Sequence, residues 1–256
     1  MFKLYHKYKI LPLSFILLIY IIFFAFCDVS AENPDETTEE DKDALKHPLT
    51  DVTTSDDGLY TGYTFADTVE EHSGDEIEGF SGDKAVNGVR GEGKNAGSLD
   101  VFVIGEAEYT ILSWSGKKII NGEGNDIKVF ENGFYMSGSD AMSLDLGLVE
   151  VSKDGVNWKS IPVKYDDDVQ PNKAEGKKNF VGTTPVYINM TDEELIHPAT
   201  QEAGGDAFDL SDAGIEEGDY IKYIKIIDAG NKYPDGQVES NGVDIDGVCA
   251  FYWENE

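Results

Sequence analysis

Cysteine is nearly absent from this sequence, which contains two in 256 residues. Cys27 directly follows a long apolar run near the N-terminus, and Cys249 lies between Val248 and Ala250. If the N-terminal segment is removed, Cys249 is left alone, which excludes an internal disulfide. Its apolar neighbours predict that Cys249 is a small buried core residue rather than a nucleophile. Stability must then come from packing, or from packing together with a metal ion.

Basic residues are also scarce. The sequence has 20 lysines and arginines against 50 aspartates and glutamates, for a formal net charge of −30. Nucleic acids and anionic membrane surfaces are bound through basic patches, so this balance argues against both as partners. It is compatible with the binding of cations, and most of the acid serves solubility.

Signs of catalysis are few. The four histidines are His6, His47, His72 and His197, and no Ser-His-Asp set, zinc-ligand pair or phosphate-binding loop is recognisable around them. We therefore predict a protein that is not an enzyme. A pair of carboxylates serving a glycosidase is the alternative, although so acidic a sequence contains such pairs by chance.

The N-terminal segment, residues 1–31, has the pattern of a signal peptide. Lys3, Lys7 and Lys9 precede Ile10–Cys27, which is apolar apart from one serine and one tyrosine. The small residues that follow predict cleavage after Ala31. The protein is therefore expected to work outside the cytoplasm, either secreted or anchored in the cell envelope.

Two alternatives to cleavage stay open. The apolar run approaches the roughly 17 to 25 residues that span a bilayer, so it could remain as an anchor with its basic end inside. Cys27 also lies where a lipoprotein carries its acylated cysteine, although the bulky Phe26 precedes it. In each case the membrane is contacted only through this segment.

Two further regions follow the export segment. Residues 32–58 are acidic, with threonine and proline and few large apolar side chains, which predicts a disordered linker. Residues 59–256 have a globular composition and a length that suits a single β-rich domain.

Short apolar segments separated by Gly, Asn and Asp predict the strands of this domain. Lys153–Val156 carries an Asp-Gly pair between two of them, which predicts a hairpin. The predicted strands are Leu99–Ile104, Tyr109–Trp114, Ile127–Phe130, Leu146–Ser152, Asn157–Val163, Tyr220–Ile227 and Val243–Trp253.

The last predicted strand alternates in polarity. Strand periodicity places Asp244 and Asp246 together on one face, and the apolar residues on the other. That apolar face consists of Val243, Ile245, Cys249, Phe251 and Trp253.

Helical patterns are rare. Thr191 and Glu194 have capping-box spacing and predict one short helix near residues 191–197. Many short strands with glycine-rich turns, and no alternation with long amphipathic segments, predict an all-β fold built as a two-sheet antiparallel β-sandwich.

Three segments rich in glycine and acid are candidates for a metal site. They are Asn121–Phe134, Gly204–Leu210 and Asn241–Gly247. Glycine allows tight turns that aim backbone carbonyls at one point, and calcium takes six to eight oxygen ligands. The alternative is that these are turn residues whose side chains bond their own backbone. The candidate calcium ligands are Asp126, Glu131, Asn132, Asp206, Asp209, Asp244 and Asp246.

A series of segments resembles a family of largely uncharacterised bacterial exported, cell-surface and lipoprotein-type proteins that carry a VFENGF motif. The resemblance extends over most of residues 65–251. It is carried by Gly97–Val101, Asp126–Phe134, Val149–Trp158, Gly182–Tyr187, Gly205–Leu210 and Val243–Val248.

The segment Val149–Trp158 is also similar to the strand–turn–strand of discoidin-like sandwiches. That similarity implies a jelly-roll of the galactose-binding-like type, a structural calcium and a glycan- or surface-binding role. We therefore expect a non-enzymatic cell-surface binding or adhesion protein whose partner is a surface glycan or protein. An extracellular carbohydrate-active hydrolase and a purely structural envelope protein are the alternatives.

Overall fold

The computed structural model describes residues 53–54, 60–192, 196–234 and 241–256. The predicted export segment and most of the predicted linker lie outside these residues. The helix predicted near 191–197 is centred on residues 193–195, which also lie outside them. Within the described part of the chain, no helix has the length and apolar character needed to cross a bilayer.

The described chain is built from short strands joined by turns. Four 3-10 turns accompany them, at Gly82–Val86, Gln201–Ala203, Leu210–Ala213 and Gly230–Lys232. The strands are β1 (Thr53–Thr54), β2 (Tyr60–Phe65), β3 (Thr68–His72), β4 (Phe102–Val103), β5 (Tyr109–Ser113), β6 (Lys117–Ile120), β7 (Ile127–Glu131), β8 (Phe134–Tyr135), β9 (Met142–Ser143), β10 (Gly147–Ser152), β11 (Trp158–Ser160), β12 (Lys164–Tyr165), β13 (Lys177–Lys178), β14 (Asp206–Phe208), β15 (Tyr220–Ile221), β16 (Tyr223–Asp228) and β17 (Asp244–Asn255).

Two larger sheets organise these strands. The first runs β1-β2-β17-β6-β15, with β4 and β7 also paired to β17 and β14 paired to β7. The second runs β11-β10-β16-β5-β3. Two hairpin-like pairs, β8-β9 and β12-β13, stand outside these sheets. The ladders are antiparallel, as in β17 with β7 and β10 with β16.

The main core lies between the two sheets. It joins Ile127 and Val248 of the first sheet to Leu112, Val149 and Ile224 of the second, all of them at most 1% exposed. Side chains from two facing sheets therefore share one interior, as in a sandwich. This arrangement confirms the predicted all-β, two-sheet antiparallel fold.

The first sheet is covered on its other face as well. Phe130 and Cys249 pack there against Val186, Ile188 and Ala203 from the long connection between β13 and β14. Cys249 is fully buried, as predicted, and burial raises the pKa of its thiol. Every residue of β7 is buried because both faces of its sheet are covered.

The predicted hairpin at Lys153–Val156 is present. β10 and β11 pair antiparallel, with Ser152 opposite Trp158. Within the turn, Asp154 Oδ1 accepts bonds from the backbone N–H groups of Val156 and Asn157, at 2.9 and 2.7 Å. The Asp-Gly signal thus indicated the turn and also the residue that stabilises it.

The predicted single apolar face of the last strand is wrong. Val243 and Ile245 belong to the core between the sheets, whereas Cys249 and Phe251 belong to the layer on the opposite face. A register shift between Ile245 and Gly247 in the pairing with β7 accounts for the change. Such a bulge inserts one extra residue, so Cys249 and Phe251 point to the other side. Trp253 lies beyond a second register shift, between Ala250 and Tyr252 in the pairing with β2, and packs against the core between the sheets again.

Candidate functional site

The end of β7 places an acidic side chain inside the protein. Glu131 is the last residue of this buried strand and lies opposite Ile245 of β17. Asn132 and Gly133 then lead into the β8-β9 pair. Three elements therefore meet at Glu131: the end of β7, the base of the β8-β9 hairpin and the start of β17.

Glu131 is 1% exposed, and its Oε2 atom has no hydrogen-bond partner. Its carboxylate accepts a bond from the backbone N–H of Asp244. Burial raises the pKa of Glu131 well above its usual value, and the charges of Asp145, Asp244 and Asp206 add to the shift. A buried carboxylate of this kind is costly unless a proton or a cation compensates its charge.

Backbone carbonyl oxygens and the unpartnered Oε2 border the space that side chains at Gly133 and Gly182 would fill. A Cβ atom added at Gly133 would lie 3.2 Å from Glu131 Oε2, 3.3 Å from the Gly182 oxygen and 3.4 Å from the Ser143 oxygen. A Cβ atom added at Gly182 would lie 3.1 Å from the same Oε2 and 2.3 Å from the Asp145 oxygen. Two glycines thus leave room for oxygen atoms to converge.

Two more carboxylates complete this region. Asp145 is buried between Leu144 and Leu146, and its charge acts on both Glu131 and Asp244. The Oδ1 atom of Asp244 is buried without a hydrogen-bond partner. Burial, followed by the charge of Asp145, raises the pKa of Asp244 to about 7.

Asn132 holds the parts of the region together. Its side chain donates to the Ser98 carbonyl at 2.9 Å, while its Oδ1 accepts from the Ser98 N–H. Its own backbone N–H donates to the Asp244 carbonyl at 3.1 Å. Asn132 is therefore a positioning residue for Asp244.

We call this region the Glu131 cluster. Among the residues that the structure describes, no three His, Cys, Asp or Glu side chains are grouped closely enough to hold a metal ion by themselves. A cation here would need the backbone carbonyls as well. The cluster is defined by the side chains of Glu131, Asn132, Asp145 and Asp244 and the carbonyl oxygens of Ser143, Asp145 and Gly182.

Asp206 lies nearby but has partners of its own. Its Oδ2 accepts from the backbone N–H groups of Gly182 and Thr183, at 2.7 and 2.9 Å. Its Oδ1 accepts from the Thr183 hydroxyl. Burial raises the pKa of Asp206 despite these bonds. Asp206 thus fixes the loop that carries the Gly182 carbonyl.

Asp126 and Asp209 stabilise turns. Asp126 is fully buried and accepts from the N–H groups of Gly122 and Leu210, at 2.6 and 2.8 Å. Burial raises the pKa of Asp126 to about 6. Asp209 caps the 3-10 turn Leu210–Ala213 by accepting from the Ser211 N–H at 2.7 Å. The geometry of Asp209 matches the alternative interpretation as a turn residue, whereas Asp126 also joins its turn to Leu210, a residue distant in sequence.

The Asp126 carboxyl predicts a pH dependence of stability. Its pKa is higher in the folded protein than in the unfolded chain, so folding is favoured by protonation, and this contribution is lost as the pH rises from about 4 to about 6. In Asp126→Asn, the free energy of unfolding should decrease less over this pH range than in the unsubstituted protein, with a difference on the order of 1 kcal/mol. Urea denaturation at several pH values measures it. Parallel pH curves for the two proteins would contradict the prediction.

Asp246 faces a different environment from Asp244. Both of its carboxylate oxygens accept from the backbone N–H of Arg90, at 2.9 Å each. Burial raises the pKa of Asp246 to about 7, and the charge of Asp100 adds to the shift. The Arg90 Nε lies 2.9 Å from Asp100 Oδ2. The structure thus gives Asp244 and Asp246 separate sets of partners.

A polar pocket of about 370 Å³ lies beside the β8-β9 hairpin. The half-buried ring of Tyr135 forms one wall, and the Lys94 Nζ lies 4.9 Å from the centre of that ring. The backbone of Tyr135 is held in place because its N–H donates to the Lys94 carbonyl at 2.9 Å. The other lining residues are Asn95, Ser139, Asp140, Ala174 and Glu175.

A second pocket, of about 420 Å³, opens beside Asp206. It is lined by Lys177 and Lys178 together with Asp209 and Asp212. Its side chains already pair with one another, as in the 3.0 Å bond from Asn179 Nδ2 to Asp212 Oδ2. It presents no exposed aromatic ring.

Comparison with known proteins adds little to this geometry. No family model and no curated protein matches the sequence. Among solved structures, the chain is similar to the C-terminal domain of a chitobiase from Bacteroides fragilis, at 16% sequence identity and a TM-score of 0.21. The match covers 55% of this chain and 62% of that chain. A TM-score this low does not establish a common fold, so function is inferred from the side chains of this chain.

Sequence patterns predicted some residues of the Glu131 cluster and missed others. Glu131, Asn132 and Asp244 stood in the candidate segments, and the structure brings them together. Asp145 was missed, although an acid set between two leucines, Leu144 and Leu146, is a signal for a buried charge. The carbonyls of Ser143 and Gly182 carry no side-chain signal and are visible only in the folded chain.

Proposed function

We propose that this protein is exported and works outside the cytoplasm as a non-enzymatic β-sandwich that binds a surface glycan. The observation that carries the proposal is the pocket beside Tyr135. Export is supported by the basic and then apolar pattern of residues 1–31. The resemblance to exported, cell-surface proteins carrying a VFENGF motif supports the same location.

The chemistry of the pocket suits a saccharide. A sugar ring has one relatively apolar face, which packs against an aromatic ring, and a rim of hydroxyl groups, which need donors and acceptors. Tyr135 supplies the ring, and Asn95, Ser139 and Glu175 supply polar groups around it. Both requirements are met within one concave site.

One carboxylate of this pocket, that of Asp140, favours binding over hydrolysis. Glycosidases usually need one carboxyl group whose raised pKa lets it donate a proton. Asp140 has the opposite property, because its hydrogen bond to the Lys173 ammonium lowers its pKa. It is therefore an ionised acceptor for hydroxyl groups and a poor general acid.

We expect the purified protein to bind a subset of neutral or acidic oligosaccharides on a glycan array. Tyr135→Ala should weaken binding to those glycans about tenfold or more, because the stacking surface is lost. Titration calorimetry with the best array ligand measures the change in Kd.

Tyr220→Ala is the matched control. Tyr220 is also half-buried, with the Lys118 and Lys153 ammonium groups 5.1 Å from its ring centre, but it does not line this pocket. Its replacement should leave glycan binding unchanged. An array with no positive glycan would favour a purely structural envelope protein. Cleavage of a bound oligosaccharide would favour a hydrolase, and either result would overturn the proposal.

A further inference from the structure

We propose that the Glu131 cluster binds one calcium ion, which joins the end of β7, the base of the β8-β9 hairpin, the 182–184 loop and the start of β17. This inference does not depend on the glycan proposal, because it concerns a buried site rather than the pocket beside Tyr135.

The donor atoms of the cluster are all oxygens. Carboxylates come from Glu131 and Asp244, and backbone carbonyls come from Ser143, Asp145 and Gly182, while the Asp145 carboxylate adds negative charge nearby. Calcium takes six to eight oxygen ligands of these kinds in flexible geometry. Zinc prefers nitrogen and sulfur ligands, and magnesium usually keeps several of its waters, which suits a buried site poorly.

Two buried oxygens lack the partner that such atoms ordinarily have. They are Glu131 Oε2, on a side chain that is 1% exposed, and Asp244 Oδ1. Buried polar atoms are nearly always hydrogen-bonded, and an exception in a native protein calls for an explanation. An ion bound between the two carboxylates would satisfy both oxygens at once.

The charge balance points the same way. The charges that act most strongly on Glu131 are those of Asp145, Asp244 and Asp206, all of its own sign. Carboxylates that act on one another inside a protein repel unless protons or a cation neutralise them. A divalent cation neutralises two of the charges and leaves its carboxylate ligands ionised.

The two glycines of the cluster keep this space open. A side chain at Gly133 would sit within 3.2 to 3.4 Å of three of the proposed ligand oxygens. Gly182 has a φ of +88°, and a Cβ there would crowd the Asp145 carbonyl and Glu131 Oε2. Gly133 does not have a positive φ, so alanine at that position fills the space without backbone strain.

The test compares the full protein with and without calcium. After treatment with EDTA and removal of the chelator, calcium chloride is added in a calorimetric titration, with magnesium and zinc chloride in parallel. We expect one calcium per chain. At a calcium concentration one hundred times Kd, the Tm should rise by about 5 to 10 °C. Absence of both heat and Tm shift with calcium, or a larger shift with magnesium or zinc, would overturn the proposal.

Variants locate the site. Glu131→Gln keeps the shape of the side chain and removes its charge, so it should be at least as stable as the unsubstituted protein in EDTA and gain nothing from calcium. Gly133→Ala should fold in EDTA and bind calcium at least tenfold more weakly. If Glu131→Gln does not fold, Gly133→Ala and the titration of the unsubstituted protein still decide the question.

Asp126→Asn is the matched control, because it alters a fully buried carboxyl that bonds Gly122 and Leu210 outside the cluster. Its calcium affinity should equal that of the unsubstituted protein. Loss of calcium binding in Asp126→Asn together with normal binding in Glu131→Gln would place the ion elsewhere and contradict the assignment.

Discussion

Gly204→Ala is expected to destabilise the sandwich by about 3 kcal/mol or more. Gly204 has a φ of 70° and a ψ of −159°, a conformation that is essentially restricted to glycine. A Cβ atom there would also lie 1.9 Å from the Pro185 carbonyl oxygen, in the chain segment that covers the first sheet. The midpoint of urea denaturation measures the loss.

Gly214→Ala separates the clash from the general cost of a positive φ. Gly214 has a φ of 67° and a ψ of 33°, and an added Cβ there would meet nothing within 4 Å. Its replacement should cost about 1 kcal/mol, the penalty of a left-handed conformation alone. Equal losses for the two variants would show that the approach of Gly204 to Pro185 does not limit stability.

Asp206→Ala is the second change expected to have a large effect, about 3 kcal/mol or more in the free energy of unfolding. The substitution leaves the N–H groups of Gly182 and Thr183 without their acceptor and removes the anchor of the 182–184 loop. Because buried donors are then left unpaired, the cost exceeds that of a surface hydrogen bond. Thermal and urea denaturation should agree on its size.

Asp209→Ala is the comparison for this change. Asp209 lies three residues further along the chain and is partly exposed, and it accepts a backbone bond only as the cap of a short 3-10 turn. Loss of a cap costs about 1 kcal/mol. If Asp209→Ala destabilised the protein as much as Asp206→Ala, the loop anchor would not be the source of the larger effect.

Local signals predicted the elements that depend on local chemistry. The Asp154-Gly155 pair predicted the β10-β11 hairpin because a turn of this kind is stabilised by its own residues. Cys249 was predicted to be buried from its apolar neighbours alone. The all-β class followed from many short apolar segments, since that pattern excludes long amphipathic helices.

Features that depend on pairing between distant strands were not predicted. The face assignment of β17 failed because the bulge between Ile245 and Gly247 is set by its pairing with β7, more than a hundred residues away in sequence. The two-residue strand β4 is much shorter than the predicted Leu99–Ile104 because only Phe102 and Val103 pair with β17.

The residues of the candidate site were also predicted only in part. Glu131 and Asp244 were proposed as ligands from glycine-rich surroundings, but the sequence could not separate them from Asp126 and Asp209, which occur in similar segments. The difference lies in their partners. Asp126 and Asp209 accept bonds from nearby backbone, whereas Glu131 Oε2 and Asp244 Oδ1 are buried and unpartnered.

The long strand β17 has a consequence for the timing of folding. It pairs with β2, β4, β6 and β7, and each of these partners precedes it in the chain. During synthesis the central ladder of the first sheet therefore stays incomplete until residues 244–255 have left the ribosome. If the chain crosses a membrane unfolded, the first sheet cannot be completed during translocation. The sandwich can then fold only on the far side of the membrane.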